Sequence, residues 1–186
     1  MKFSDSCFVK ITDTKAFKVK CIERIIKSEG GSKYTNYKSD PGGETRFGIT
    51  KRTALDYGYI GSMRTIPKYI AIKIYETQYW NVLKCNELSL LCRDLAFQTF
   101  DIGVNIGVLR SAKMLQYVIK NVVTDGIIGE KTLRGICNSS ITCTQINDSI
   151  MNKRVYYYRN LVNKRESLKI YLRGWLSRAR KSRHFH

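Results

Sequence analysis

The sequence IIKSEGGSKYTNYKSDPGGETRFGIT, residues 25–50, decides how this chain is organised. Upstream of Glu29, apolar residues recur at three- and four-residue steps, as they do on the buried face of a helix. They are Ala16, Val19, Ile22, Ile25 and Ile26. The pair Gly30-Gly31 predicts the end of this helix, because glycine commonly follows a helix C-terminus. We therefore expect a first helix over about residues 14–29.

Glu29 closes that predicted helix and continues its apolar face. A carboxyl group in this position loses water and faces the negative end of the helix dipole, and both effects favour its protonated form. A general acid that works near neutral pH needs this property. The position therefore predicts that Glu29 is a proton donor.

A second carboxylate, Asp40, follows and opens the turn Asp40-Pro41-Gly42-Gly43, and Thr45 comes shortly after it. One protonated and one ionised carboxyl group on either side of a bond is the arrangement that glycoside hydrolysis uses. A water held between Asp40 and Thr45 would be the nucleophile. The alternative is a surface loop in which Asp40 only caps a turn, and the spacing alone leaves both interpretations open.

The strings SEGG (28–31) and DPGGETRFGITKR (40–52) resemble the signature of the family 108 glycoside hydrolases, the phage-type N-acetylmuramidases. The resemblance extends over about residues 16–180. It implies an all-α, compact, single-domain, lysozyme-like fold with a Gly-rich active-site loop after the first long helix. The loop between Glu29 and Asp40 is slightly longer here than in the family, which leaves the role of Asp40 open.

The resemblance also implies roles for individual residues. Glu29 would be the catalytic acid, and Asp40 and Thr45 would position the water. The residues expected to contact the substrate are Tyr34, Arg46, Phe47, Gly48, Ile49, Tyr79, Trp80, Asp101 and Asn105.

The rest of the chain reads as further helices. The predicted ranges are 51–57 with Thr50 as N-cap, 67–80 starting at a proline, 89–107, 109–122, 142–163 and 168–180. No Gly-, Ser- or Pro-rich linker interrupts them, so we expect residues 1–186 to form one domain. Within it, residues 14–90 would be the catalytic part. Residues 91–183 would be a helical part that resembles a peptidoglycan-binding region.

Two predicted substrate contacts are aromatic. Tyr79 and Trp80 end the helix that starts at Pro67, and aromatic rings commonly stack on the apolar faces of sugars. The alternative is that both rings are part of the hydrophobic core at a helix end.

Two other predicted contacts are polar residues inside an apolar helix. Asp101 and Asn105 are four residues apart and therefore share one helix face. Buried polar groups need partners. These side chains either bind neighbouring backbone groups or line a substrate cleft.

The chain has 186 residues and a formal net charge of +18. Such a charge favours binding to polyanions, namely nucleic acid, anionic membranes or acidic wall polymers. No standard nucleic-acid motif accompanies the charge, so we do not expect a specific nucleic-acid ligand. We expect the partner to be peptidoglycan and the protein to be a monomer.

The six cysteines contain no C-x-x-C pair, and the two histidines lie at the very end of the sequence. No metal or organic cofactor is therefore expected. The N-terminus lacks the long apolar segment of a signal peptide, so we expect synthesis in the cytoplasm and action on the cell wall after release. In that compartment the cysteines would be mostly reduced.

Together these features predict a muramidase (lysozyme) of a phage or prophage that cleaves the β-1,4 bond of peptidoglycan. Three alternatives remain open. A lytic transglycosylase would use Glu29 alone, a wall-binding protein would bind without cleavage, and a basic nucleic-acid-binding protein would show steep salt dependence.

Overall fold

The computed structural model describes residues 14–36 and 43–185, and over these residues the chain is mostly α-helical, which confirms the predicted class. The α-helices are α1 (Thr14–Ser28), α2 (Lys51–Asp56), α3 (Lys68–Tyr75), α4 (Cys85–Leu91), α5 (Arg93–Ile106), α6 (Val108–Ile119), α7 (Glu130–Cys137), α8 (Cys143–Lys164) and α9 (Lys169–Lys181). The segment Glu76–Trp80 continues α3 as a π-helix, and the 3₁₀ turn Glu166–Leu168 precedes α9. Asp40, the predicted second carboxylate of the site, lies outside the described residues.

A short hairpin joins α1 to α2. Strands β1 (Thr45–Arg46) and β2 (Ile49–Thr50) pair antiparallel, with Thr45 opposite Thr50 and Arg46 opposite Ile49. Thr35 adds a bridge on the other edge of β1, through two backbone hydrogen bonds with Thr45 of 2.9 and 2.8 Å.

Local signals placed most helix ends correctly. Thr50 caps α2 by accepting a hydrogen bond from the Thr53 amide at 3.2 Å, as predicted. Thr142 begins α8 with a capping box, in which its hydroxyl and the Gln145 side chain each bind the other's backbone amide.

Two helix predictions were wrong. The expected helix 89–107 is divided at Cys92, whose extended backbone (φ −163°, ψ 115°) separates α4 from α5. On α1, the buried residues are Phe17, Cys21, Ile22, Ile25 and Ile26. Ala16 and Val19, which the spacing had placed on the buried face, are exposed. The buried face of α1 is therefore rotated relative to the predicted one.

The chain divides into two compact units, and we call residues 15–80 the N-terminal unit and residues 81–185 the C-terminal unit. The core of the N-terminal unit is built by α1, the hairpin and α3. In the C-terminal unit, α5 lies in the core, and its residues from Leu95 to Gly103 are buried. Among the described residues, no helix combines the length and the apolarity needed to cross a membrane.

Candidate active site

The end of α1 places Glu29 at the start of a glycine turn. The Glu29 amide donates to the Ile25 carbonyl at 2.9 Å, so Glu29 still continues the helical hydrogen-bonding pattern. Gly30 (φ +96°) and Gly31 (φ +63°) then turn the chain away, and the Gly31 amide donates to the Ile26 carbonyl at 2.9 Å. The helix therefore holds the backbone of Glu29, whose side chain is half-buried.

The turn of the hairpin lies against Glu29. Its two central residues, Phe47 (φ +55°) and Gly48 (φ +74°), both have the positive φ that a tight two-residue hairpin requires. A Cβ atom built on Gly48 would lie 2.5 Å from Glu29 Cβ and 2.9 Å from Glu29 Cγ. The Glu29 side chain therefore packs directly on the backbone of this turn, and only glycine leaves the space for it.

Two tyrosines from the end of α3 complete this cluster. The Tyr75 hydroxyl donates to the Phe47 carbonyl at 3.0 Å and lies beside Gly48, so it fixes the turn from the side of α3. The Tyr79 ring packs against Tyr75 with centroids 5.8 Å apart. Burial raises the pKa of Tyr79, and the nearby charge of Glu29 raises it further. Both hydroxyl groups therefore belong to the surroundings of Glu29.

The π-helical segment is what presents Tyr79. Such segments insert an extra residue into the helix and occur frequently at functional sites. It is held to α1 by the ion pair between Lys18 and Glu76, and a second lysine, Lys73, lies 3.1 Å from the same carboxylate. These contacts hold the pKa of Glu76 below its ordinary value, mainly through the Lys18 hydrogen bond.

A second group of charged residues holds the ends of the hairpin. The Tyr34 hydroxyl donates to Glu44 Oε1 at 2.7 Å, and Lys51 Nζ lies 2.8 Å from Glu44 Oε2. The Arg64 guanidinium stacks on the Tyr34 ring at 4.4 Å. Hydrogen bonds from Lys51 and then Tyr34 lower the pKa of Glu44, whereas the bond to Glu44 raises the pKa of Tyr34. Glu44 is therefore a carboxylate at neutral pH.

The other predicted hairpin residues take different positions. The Thr45 hydroxyl makes a long hydrogen bond of 3.4 Å to the Gly43 carbonyl. Arg46 donates to the carbonyls of Ser32 (3.2 Å) and Arg64, so it joins the glycine turn to the loop before α3. Ile49, which follows the turn in β2, is buried.

The expectation that Trp80 contacts a sugar is corrected by the structure. Trp80 is 0% exposed and packs edge-to-face on Phe17 with centroids 6.0 Å apart. Its ring has no free face for a ligand, so Trp80 is a core residue. Tyr79, which is only partly buried, remains a predicted contact.

The structure favours a packing role for Asp101 and Asn105. Asp101 is 3% exposed, and its oxygens lie 2.6 Å from Arg154 and 2.9 Å from Arg178. Asn105 accepts hydrogen bonds from the Tyr158 hydroxyl and, at 3.5 Å, from Arg154. Their partners are thus side chains of α8 and α9, whereas one of the two interpretations of the sequence had assigned them to neighbouring backbone groups.

The sequence analysis named neither Tyr75 nor Glu44 among the candidate site residues. A usable signal was the Tyr75–Tyr79 spacing, because residues four apart share a helix face.

The chain is similar to two family models and to a solved structure. A family model described as glycosyl hydrolase 108 matches residues 22–107, and one described as a predicted peptidoglycan domain matches residues 110–180. The solved structure of SagA from Brucella abortus is similar, with a TM-score of 0.74 and 28% sequence identity over 91% of this chain and 92% of that chain. No curated protein matches the chain.

Proposed function

We propose that this chain, whose residues 22–107 match the glycosyl hydrolase 108 family model, is an N-acetylmuramidase that cleaves the β-1,4 bond between N-acetylmuramic acid and N-acetylglucosamine in peptidoglycan. The predicted peptidoglycan domain over residues 110–180 supports peptidoglycan as the substrate. The observation that carries the proposal is the position of Glu29, packed on Gly48 and beside Tyr79.

Glu29 acts as the general acid in this proposal. Its backbone is held by α1, and the Cβ and Cγ atoms of its side chain pack against the Gly48 turn. The neighbouring Tyr75 hydroxyl fixes that turn through the Phe47 carbonyl. A carboxylic acid fixed in this way can donate its proton to the leaving glycosidic oxygen as the bond breaks.

The nucleophile is a water that Asp40 and Thr45 hold on the opposite face of the sugar. The long hydrogen bond of the Thr45 hydroxyl to Gly43 leaves this hydroxyl able to bind a water as well. Glu44 holds the strand that carries Thr45, since its carboxylate is bound by Tyr34 and Lys51. Direct attack by the water inverts the anomeric centre, whereas a covalent intermediate on Asp40 retains it.

The test is digestion of purified peptidoglycan by the wild type and by Glu29→Gln, with product analysis by mass spectrometry. Glutamine keeps the shape of the side chain but cannot donate the proton, so we expect at least a roughly hundred-fold lower rate. Glu23→Gln is the matched control, because Glu23 lies on the same helix in an exposed pair with Lys68. Near-normal digestion by Glu29→Gln would refute the assignment of the acid.

The products separate a hydrolase from a lytic transglycosylase. Hydrolysis leaves reducing N-acetylmuramic acid ends, whereas a transglycosylase leaves anhydro ends because the sugar's own hydroxyl attacks. Asp40→Asn and Thr45→Val should slow a hydrolase that uses a positioned water. Anhydro products, together with unchanged rates in both variants, would support the transglycosylase.

We further propose that this is the lysis enzyme of a phage or prophage and that it works as a monomer on the cell wall after release from the cytoplasm. Its net charge of +18 favours approach to the anionic wall and membrane surface.

A further inference from the structure

A groove of about 410 Å³ lies on the surface of the C-terminal unit, between α6 and α8. Each helix lines it with residues at positions i, i+3, i+4 and i+7, which is the spacing of a single helix face. This surface carries two tyrosines that are mostly exposed, Tyr117 and Tyr156.

Three of the residues that line the groove come from α6, namely Arg110, Lys113 and Tyr117. The Tyr117 ring is 61% exposed, and Lys153 Nζ of α8 lies 3.2 Å from its centroid. Arg110 donates to the Ile106 carbonyl at 3.0 Å, and its guanidinium lies 6.0 Å from the centroid of the Tyr157 ring. A hydrogen bond and ring contacts thus hold Arg110 and Lys153 against aromatic surface.

From α8 the groove takes Tyr156 and Tyr157 in addition to Lys153. Tyr156 is 66% exposed, so one large ring is open to solvent beside three positive charges. Exposed rings flanked by cations fit a ligand that combines apolar sugar faces with negative charge.

No carboxylate is among the residues that line this groove. The acidic neighbour of Lys113 is Asp125, whose charge Lys113 stabilises. The Asp125 carboxylate accepts hydrogen bonds from the Ile127 amide at 2.8 Å and from Gln116 at 2.7 Å, and these bonds lower its pKa. Because those bonds hold Asp125 in its own turn, the groove keeps a net positive charge.

We propose that this groove is a peptidoglycan-binding subsite, in which Tyr117 and Tyr156 stack on the glycan and Arg110, Lys113 and Lys153 pair with the carboxylates of the stem peptides. The choice of ligand rests on the proposed function. The groove lies within residues 110–180, the range matched by the predicted peptidoglycan domain, but that match assigns no binding residues. The subsite would hold the wall polymer while Glu29 cleaves it.

The test measures sedimentation with insoluble peptidoglycan, in a Glu29→Gln background so that the polymer stays intact. The double variant Tyr117→Ala/Tyr156→Ala should bind about tenfold more weakly, since two ring contacts are lost. Tyr69→Ala is the matched control, because Tyr69 is 65% exposed in the N-terminal unit. Thermal unfolding of each variant checks that the fold is intact.

Two polymers separate the two contacts. Lys113→Glu should weaken binding to intact peptidoglycan several-fold, yet leave unchanged the binding to chitin, whose N-acetylglucosamine strands carry no carboxylate. The tyrosine variant should weaken both. Binding by both variants equal to that of Tyr69→Ala would overturn the proposal.

Binding to vesicles of phosphatidylglycerol tests the alternative that the groove binds an anionic membrane surface. If the variants lose vesicle binding but retain peptidoglycan binding, the groove is a membrane-surface site and the proposal is wrong. Cleavage is measured separately, on the wild type. Wild-type protein that binds through the groove but cleaves nothing would refute the proposed function and leave this subsite standing.

Discussion

Gly48 and Glu29 are in direct contact: a Cβ atom at position 48 would lie 2.5 Å from the Cβ of Glu29. The same atom would lie 2.5 Å from the hydroxyl oxygen of Tyr75. The side chain of the proposed acid and the Tyr75 hydroxyl therefore occupy the space that a side chain at position 48 would need.

Gly48→Ala should abolish most of the activity. The added methyl group pushes the Glu29 side chain and the Tyr75 hydroxyl away, and the positive φ of +74° costs an alanine roughly 1–2 kcal/mol. Turnover of peptidoglycan and the free energy of unfolding are the two measurements.

Gly58→Ala is the control for Gly48→Ala. Gly58 also has a positive φ, of +97°, but a Cβ there meets nothing within 4 Å. It should lose stability with little loss of activity. If both variants were equally active, the contact between Gly48 and Glu29 would have no catalytic importance.

Glu29→Gln should lower the pKa of Tyr79. A negative charge on Glu29 disfavours the phenolate, so its removal makes ionisation of Tyr79 easier. The pKa should stay above the ordinary value, because burial is the larger cause and is unchanged. The measurement is an NMR titration of the Cζ shift of labelled tyrosine, at pH values where circular dichroism shows a folded protein.

Tyr158 is the internal reference in the same titration. Burial also raises its pKa, but Glu29 is not among the causes. An unchanged Tyr79 pKa in the variant would mean that the two groups are not neighbours.

Asp101→Asn should destabilise the protein by about 3–5 kcal/mol, since it leaves the buried guanidinium of Arg154 without its counter-charge. Urea unfolding measures this loss. Glu130→Gln, which breaks the exposed pair with Arg134, should cost no more than about 1 kcal/mol. A stable Asp101→Asn protein that binds its substrate poorly would restore the original interpretation of Asp101 as a substrate contact.

Cys92 should react as a thiolate near neutral pH. The hydrogen bond with Cys143, followed by backbone amides at the start of α5, lowers the pKa of Cys92 to about 7. Alkylation by iodoacetamide, followed by mass spectrometry of the peptide, should therefore rise with pH through a midpoint near 7. Cys143→Ala should move this midpoint upward, whereas a midpoint near 9 in the wild type would contradict the prediction.

Much of the local structure was predictable because its causes are local. The Gly30-Gly31 pair ended α1, Thr50 capped α2, and the capping box at Thr142 began α8. In each case the deciding contacts join residues a few positions apart, so the pattern in the chain contains the information.

Predictions failed where distant contacts decide. The apolar run 89–107 suggested one helix, yet the chain breaks at Cys92, whose thiol lies beside Cys143 of α8. Trp80 was predicted to contact a sugar, but its ring packs on Phe17, which lies 63 positions earlier in the sequence.

The sequence by itself determined the helical class, the family resemblance and the position of Glu29 at a helix end, because periodicity, glycine turns and motif strings act over short distances. Only the tertiary structure decided what surrounds that carboxyl group and what happens to Asp101. Tyr75 and Tyr79 reach the Gly48 turn from α3 and its π-helical end, and the arginines that bind Asp101 follow it by 53 and 77 positions. Packing brings these partners together, and no local pattern in the chain encodes their pairing.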